Sequence, residues 1–202
     1  MGITASWIAA RGIDKAEVFA RLGYVDTGEA ADDDFELSYA QLPSGWLVVL
    51  IPGYRDPSWD RMEALCAGGE AMSCTISETV MYSLAHGYRD GRHVWSVEHH
   101  GGDMGTYHLD VWGSPPPELE PIRLRQMAKQ EEDDAGDVRV DHIFDVPAEL
   151  TYALCGYRAD GQAMPGGEPP MTLLRDPEAG RRAPREGGGG VFKTLARWFG
   201  RG

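Results

Sequence analysis

Residues 81–100 read MYSLAHGYRDGRHVWSVEHH. This stretch predicts a β-hairpin, because apolar and polar side chains alternate on both sides of Asp90-Gly91, and Asp-Gly is a strong signal for a tight hairpin turn. One more strand follows after a glycine-rich turn, so this part of the chain predicts an antiparallel meander. Its three strands are predicted at residues 81–88, 92–99 and 106–112.

The chain before the hairpin predicts strands and helices in the order β-α-β-β-α-β, which is the split βαβ arrangement. Asp14 is the expected N-cap of the first helix and Asp56-Pro57 the start of the second, since Asp is a good N-cap and Pro is favoured in a first helical turn. Residues 26–34 are rich in Asp and Glu and are predicted to form an acidic loop. The four strands are predicted at residues 3–11, 35–42, 46–51 and 71–80.

Two further helices are predicted after the meander, at residues 117–134 and 147–155, with a short strand or extended segment at residues 138–144 between them. This order of elements predicts an α+β fold with a mostly antiparallel sheet and helices packed on one face. The length and apolar content suit one globular domain, which we place at residues 1–158.

Composition changes after this domain. Residues 159–190 hold 8 Gly and 5 Pro and few bulky apolar side chains, so burial there is too small to offset the entropy of ordering. We predict a flexible linker in which Met171, Leu173 and Leu174 are the residues able to dock. Residues 191–200 predict a basic amphipathic helix. Its apolar stripe consists of Val191, Phe192, Leu195, Trp198 and Phe199.

The charge of the chain is strongly acidic and uneven. There are 32 Asp and Glu against 19 Lys and Arg, which gives a net charge of -13. From Arg175 onward the chain carries 7 basic and 3 acidic side chains, and the rest carries 12 basic and 29 acidic ones. The part of the chain before Arg175 therefore lacks the excess of cations that binds phosphate backbones, which argues against nucleic acid as its ligand. It favours a protein partner with a basic surface.

The cysteines and the lengths of the apolar segments indicate the cellular compartment of the protein. Cys66, Cys74 and Cys155 lie in apolar contexts and form no CxxC pair, as is typical of buried thiols in a reducing environment. The longest apolar run, residues 46–51, is far shorter than the roughly 20 residues of a membrane span. The first residues also lack the basic region and long apolar run of a signal peptide. We therefore expect a cytoplasmic protein.

The densest group of polar side chains lies at the end of the hairpin. Because side chains alternate along a strand, the residues from 93 to 100 divide between two faces. One predicted face carries Ser96, Glu98 and His100, and the other carries His93, Trp95, Val97 and His99.

Pairing of the hairpin with the next strand would place Glu98 or His100 opposite His108 or Asp110. Imidazole and carboxylate groups suit zinc or another divalent metal. This pattern supports the hypothesis of a metal-dependent hydrolase with His100, His108 and Asp110 as ligands and Glu98 as the base. The alternative is a half-exposed hairpin whose His and Glu side chains are solvated or paired, because the spacing matches no known metal motif.

Other catalytic motifs are missing from the sequence. The glycine-rich residues 101–105 contain neither GxGxxG nor a following Lys, and they join two predicted strands, whereas a phosphate loop leads into a helix. No GxSxG occurs, so nothing indicates a nucleophile elbow. We predict no cofactor.

The C-terminal stripe is the most unusual local feature of the sequence. A basic amphipathic helix on a glycine tether can fold back on its own acidic domain, enter the groove of a partner, or lie on an anionic membrane. The pattern does not choose among these three. The residues predicted to make the contact are Phe192, Lys193, Leu195, Arg197, Trp198 and Phe199.

Two stretches resemble known sequences. VWSVEHHGG at residues 94–102, and DHIFDVPAEL at residues 141–150 with LCGYR at residues 154–158, are similar to segments of small uncharacterised bacterial proteins. The resemblance implies a bacterial cytosolic domain and assigns no activity and no catalytic residue. As an acidic α+β chain of this size, the protein also resembles toxin-neutralising immunity proteins, in class and charge alone.

The function expected from the sequence is therefore that of a non-enzymatic, immunity-like or adaptor-like module of the bacterial cytoplasm. Its acidic surface would bind a basic protein partner, and the C-terminal helix would supply a second contact. A metal-dependent hydrolase and a peripheral membrane protein are the two alternatives.

Overall fold

The computed structural model describes residues 2–32, 36–53, 59–136, 140–160, 162 and 164–178. Within these residues the chain forms nine strands, five α-helices and a 3-10 turn at Ile143–Asp145. The strands are β1 Thr4–Arg11, β2 Val25–Ala30, β3 Ser38–Gln41, β4 Leu47–Pro52, β5 Glu70–Ser77, β6 Tyr82–Arg89, β7 Arg92–His100, β8 Asp110–Gly113 and β9 Thr172–Arg175. The helices are α1 Lys15–Leu22, α2 Trp59–Leu65, α3 Gly101–Met104, α4 Leu119–Asp134 and α5 Val146–Cys155.

All nine strands belong to one antiparallel sheet in the order β2-β9-β3-β4-β1-β5-β6-β7-β8. β1 pairs with β4 on one side and with β5 on the other, which is the split arrangement expected from the sequence. The β6–β7 hairpin turns at Asp90 and Gly91, both with positive φ (48° and 76°), as an Asp-Gly hairpin turn requires. The predicted α+β class and meander are confirmed.

The helices cover both faces of the sheet, whereas the order of elements predicted them on one face. Trp7 and Ala9 of β1 lie in a first core, together with residues of α4 and α5. Ile8 and Ala10 lie in a second core on the opposite face, with α1 and α2. A central strand that is apolar at successive positions has two faces to bury, so each needs its own layer of helices.

Two strands were not predicted. β2 lies within the expected acidic loop and forms one edge of the sheet, and β9 lies within the expected linker and inserts between β2 and β3. Leu174 of β9 is buried in the second core and Met171 packs against the first. The pairing backbone comes from distant parts of the chain, so the local composition of β2 and β9 gives no sign of it.

Several predicted boundaries also change. β8 begins at Asp110 rather than at residue 106, and the turn at residues 101–105 contains the short helix α3. The extended segment expected at residues 138–144 ends instead in the 3-10 turn. Asp56, Pro57 and the amphipathic helix predicted at residues 191–200 lie outside the described residues.

Candidate functional site

The four residues proposed as a metal site lie at the end of β7 and the start of β8. Glu98 and Asp110 are direct neighbours on the two strands. His108 precedes β8, and its Nδ1 accepts a 2.9 Å hydrogen bond from the backbone N–H of His100. The other ring nitrogen of His108, Nε2, lies 3.3 Å from Oδ2 of Asp110.

These residues form pairs rather than a ligand set. The Nε2 atom of His100 lies 3.7 Å from Asp103, which was not a predicted ligand, and one nitrogen of His108 is already occupied by a backbone amide. Among the described residues, no three His, Cys, Asp or Glu side chains are arranged to hold a metal ion. The structure brings His108 and Asp110 together and leaves His100 outside that pair.

His93 was predicted to share a face of β7 with Trp95, and this prediction is wrong. The register with β6 shifts between Gly87 and Tyr88, so β7 carries an extra residue, and Val94 and Trp95 both pack toward the first core. A β-bulge of this kind reverses the alternation beyond it. His93 consequently lies on the opposite face from Trp95.

There His93 meets a second histidine, His86 of β6. Nδ1 of His86 and Nε2 of His93 are 3.1 Å apart, and the His93 ring stacks on Trp112 with centroids 4.8 Å apart and planes 2° from parallel. Burial lowers the pKa of His86 to about 3 and that of His93 to about 4. Both rings are therefore neutral at pH 7.

A fully buried histidine that the sequence did not single out, His99, binds two acceptors. Its Nδ1 lies 2.7 Å from the backbone carbonyl oxygen of His108, and its Nε2 lies 3.0 Å from Oδ2 of Asp141. A carbonyl oxygen and an ionised carboxylate can only accept, so the pair shares two protons: either both ring nitrogens carry one, or Asp141 is the neutral acid. A Cβ atom on Gly101 would lie 2.4 Å from Oδ2 of Asp141, so the pair has this geometry only beside a glycine.

Ser83 is the neighbour of His99 across β6 and β7, so a Ser, a His and an Asp lie near one another, the residue types of a hydrolase triad. The hydrogen bonds do not suit that chemistry. Ser83 donates to the carbonyl oxygen of Phe144 (2.7 Å), and neither nitrogen of His99 is free to accept the serine proton, as a general base must. Ser83 and His99 are also fully buried. The cluster therefore ties the segment before α5 to β7.

All three cysteines are buried and none is in a disulfide, as expected from their apolar contexts. Burial raises the pKa of Cys74 well above its usual value and that of Cys155 to about 11. Such thiols remain protonated at pH 7, and a protonated, buried thiol is a poor nucleophile.

A cavity of about 530 Å³ lies beside β8. It lies between β8, the three consecutive prolines that follow it, and the first turns of α4. We call it the β8 groove. Its lining is Tyr107, Leu109, Val111, Pro115, Pro116, Pro117, Leu119, Glu120, Arg123, Met127 and Ile143.

The lining of the β8 groove is mainly apolar, with polar groups that are already paired. Arg123 donates to Glu120 through Nε (2.9 Å) and Nη2 (2.7 Å). Tyr107 donates from its hydroxyl to Asp134 (2.7 Å) and remains 49 % exposed. Ligand-binding clefts are typically 300–1,000 Å³ in volume and mostly apolar, with a few placed polar groups, and the β8 groove matches that description.

The two edges of the sheet differ. β2 is polar and irregular, with a register shift between Asp26 and Ala30, and such bulged, charged edges resist pairing with another chain. Among the described strands, β8 pairs with β7 alone, all four of its residues are exposed, and Val111 and Trp112 are 45 % and 40 % exposed. One edge of the sheet is thus blocked and the other is open.

None of the described helices is long and apolar enough to cross a membrane. Comparisons of this chain with known protein families, with curated proteins and with solved structures find no match. A function must therefore be argued from the geometry of the chain itself.

Proposed function

We propose that this protein is a non-enzymatic binding module that takes an extended, basic segment of a partner protein along β8, with apolar side chains of that segment in the β8 groove. The observation that carries the proposal is the open edge strand directly beside an apolar groove. Exposed sheet edges recruit extended peptides as an added strand, with affinity from the main chain and specificity from side-chain pockets.

The backbone of β8 supports this mode of binding. Ser114 donates its N–H to the carbonyl oxygen of Val94 (3.0 Å). Because paired and free positions alternate along an antiparallel strand, Val111 directs its N–H and C=O groups away from β7. An added strand would bond to these groups, and its side chains would alternate between the β8 groove and the face that carries Trp112.

Charge supports a basic partner. Up to residue 174 the chain carries 29 acidic and 12 basic side chains, and Asp110, at the start of β8, has a side chain that is 77 % exposed. Opposite charge on a partner would accelerate encounter and fix orientation more than it would raise affinity. The buried thiols are compatible with a reducing compartment, and we propose an adaptor-like or immunity-like role in the bacterial cytoplasm.

The proposal is tested with a displayed library of 12-residue peptides selected on the full-length protein. We expect selected peptides to alternate apolar residues with Lys or Arg, and to bind more weakly as salt is raised from 50 to 300 mM. Val111→Lys, in the open edge, should weaken their binding about 10-fold, which corresponds to about 1.4 kcal/mol.

Val25→Lys is the matched control, because Val25 is a similarly exposed valine (40 %) on the blocked edge. Binding to this variant should equal binding to the parent. Selection of no peptide, or equal loss of binding in the two variants, would contradict the proposal.

A further inference from the structure

We propose that residues 191–199 of this chain occupy the β8 groove in the same molecule, so that the protein covers its own binding edge. The inference rests on the proposed function of the groove and goes beyond it by naming what regulates access to it. Two observations carry it: the chemistry of the segment and its reach.

The segment has the chemistry that the β8 groove would select. Its stripe of Val191, Phe192, Leu195, Trp198 and Phe199 matches the apolar lining, and Lys193, Arg197 and Arg201 lie off the stripe. An amphipathic helix lays such a stripe into an apolar groove with its charged side chains at the rim. Near the groove these cations would meet Glu118 of the loop before α4 and the exposed Asp110.

The chain is long enough to make the contact. β9 is second from one edge of the sheet and β8 forms the other edge, so seven strand spacings of about 4.8 Å separate them, or about 34 Å. Twelve residues lie between Glu178 and Val191, so the chain makes thirteen steps of about 3.3 Å and spans up to about 43 Å. The reach exceeds the distance across the sheet.

Tethering makes a weak contact sufficient. A short linker holds its segment at an effective concentration of about 1 mM. An intrinsic Kd of about 0.1 mM would then leave about 90 % of the molecules with the groove covered. A partner would have to displace the segment, so the observed affinity for it would fall by about 10-fold.

The test compares three full-length proteins by amide hydrogen exchange: the parent, the double variant Trp198→Ala/Phe199→Ala, and Thr194→Ala as a control off the stripe. We expect exchange of residues 107–113 to be about 10-fold faster in the double variant than in the parent, because removal of the two aromatic rings uncovers the groove. The control should match the parent. Equal exchange in all three proteins would overturn the proposal.

Two further measurements test other ways of covering the groove, by a second copy of the chain or through contact with a membrane. Protection that appears only in a dimer, by light scattering, would place the segment in a second copy and overturn the proposal. So would protection that depends on added phosphatidylserine vesicles.

Library peptides separate this inference from the proposed function. If they bind parent and double variant equally while exchange is unchanged, the intramolecular contact fails and the proposed function stands. If exchange changes as expected and no peptide binds the double variant, the proposed function fails and the intramolecular contact stands.

Discussion

Nε2 of His99 lies 3.0 Å from Oδ2 of Asp141, within hydrogen-bond distance. The contact joins the end of β7 to a residue 42 positions later, just before the 3-10 turn. The other oxygen of Asp141 accepts from the backbone N–H of Phe144 (3.2 Å). Because Ile143 lines the β8 groove, this buried pair fixes one wall of the groove.

Removing Asp141 should cost much more than removing an exposed aspartate in a similar pair. Asp141→Ala leaves a fully buried imidazole nitrogen without its partner, and we expect a loss of about 1–3 kcal/mol in the free energy of unfolding. Asp110→Ala, which removes the exposed partner of His108, should change it by less than about 0.5 kcal/mol. Urea unfolding at pH 7 measures both, and similar losses would show that the buried pair contributes nothing special.

Gly101 should not tolerate a side chain. In Gly101→Ala the new Cβ would lie 2.4 Å from Oδ2 of Asp141 and 2.7 Å from Nε2 of His99, so the pair must separate, at an expected cost of about 1–3 kcal/mol. Gly136→Ala is the control, since its Cβ would make only an ordinary 3.6 Å contact with Asp133. Thermal unfolding of both variants decides the point, and equal melting temperatures would contradict the geometry described for Gly101.

Acid should destabilise the protein through His86. The pKa of His86 falls from 6.5 to about 3 on folding, so below pH 6.5 the unfolded chain binds a proton that the folded protein does not. Stability is then constant above pH 6.5 and decreases as the pH falls. At pH 5 the loss from His86 is about 2 kcal/mol. His93, whose pKa burial lowers to about 4, adds a loss of the same sign.

The variant His86→Asn, with an amide near the position of Nδ1, should lose less stability than the parent between pH 7.5 and pH 5 in urea titrations. The lowered pKa values of Asp26 and Glu70 act only below about pH 4.5. The raised pKa of Asp145 has the opposite sign and is common to both proteins. If the free energy of unfolding falls equally with pH in parent and variant, His86 is not the cause of the acid destabilisation.

Among the described ion pairs of Arg or Lys, that of Arg158 and Asp160 is the most buried, with side chains 10 % and 6 % exposed. Nε of Arg158 donates to both carboxylate oxygens (2.7 and 2.9 Å). Asp160→Ala would leave an unpaired buried guanidinium, and we expect a loss of about 3–5 kcal/mol. Glu17→Ala removes the more exposed partner of Arg21 and should cost about 0.3–0.5 kcal/mol. A loss below 1 kcal/mol for Asp160→Ala, by urea unfolding, would mean that water reaches Arg158.

Local signals in the sequence predicted the elements that local chemistry builds. Asp14 accepts from the N–H of Ala16 as the N-cap of α1, and Gly23 ends that helix in the left-handed region. Asp90 and Gly91 turn the hairpin with positive φ. Turn residues and caps act through the backbone of their immediate neighbours, so a few adjacent letters are enough to indicate them.

Interactions between distant residues were predicted only in part. Alternation along β7 correctly placed Trp95, Val97 and His99 on the buried face, but the bulge at Val94 turned His93 away from it. Glu98 and Asp110 are opposite each other as expected, whereas His108 uses one nitrogen for a backbone amide. A bulge depends on the partner strand, and the alternation of one strand carries no information about it.

Local sequence was enough to predict the α+β class, the hairpin, the N-cap of α1 and the burial of the three thiols, because each depends on periodicity, turn chemistry or apolar content within about ten residues. Four features became visible in the assembled fold: helices cover both faces, β9 inserts beside β2, His99 binds Asp141, and β8 is an open edge beside a groove. The His99–Asp141 contact joins residues 42 positions apart, and β9 pairs with β2 across about 150 positions. Their free energy comes from burial and pairing across the assembled sheet, which no local stretch of sequence contains.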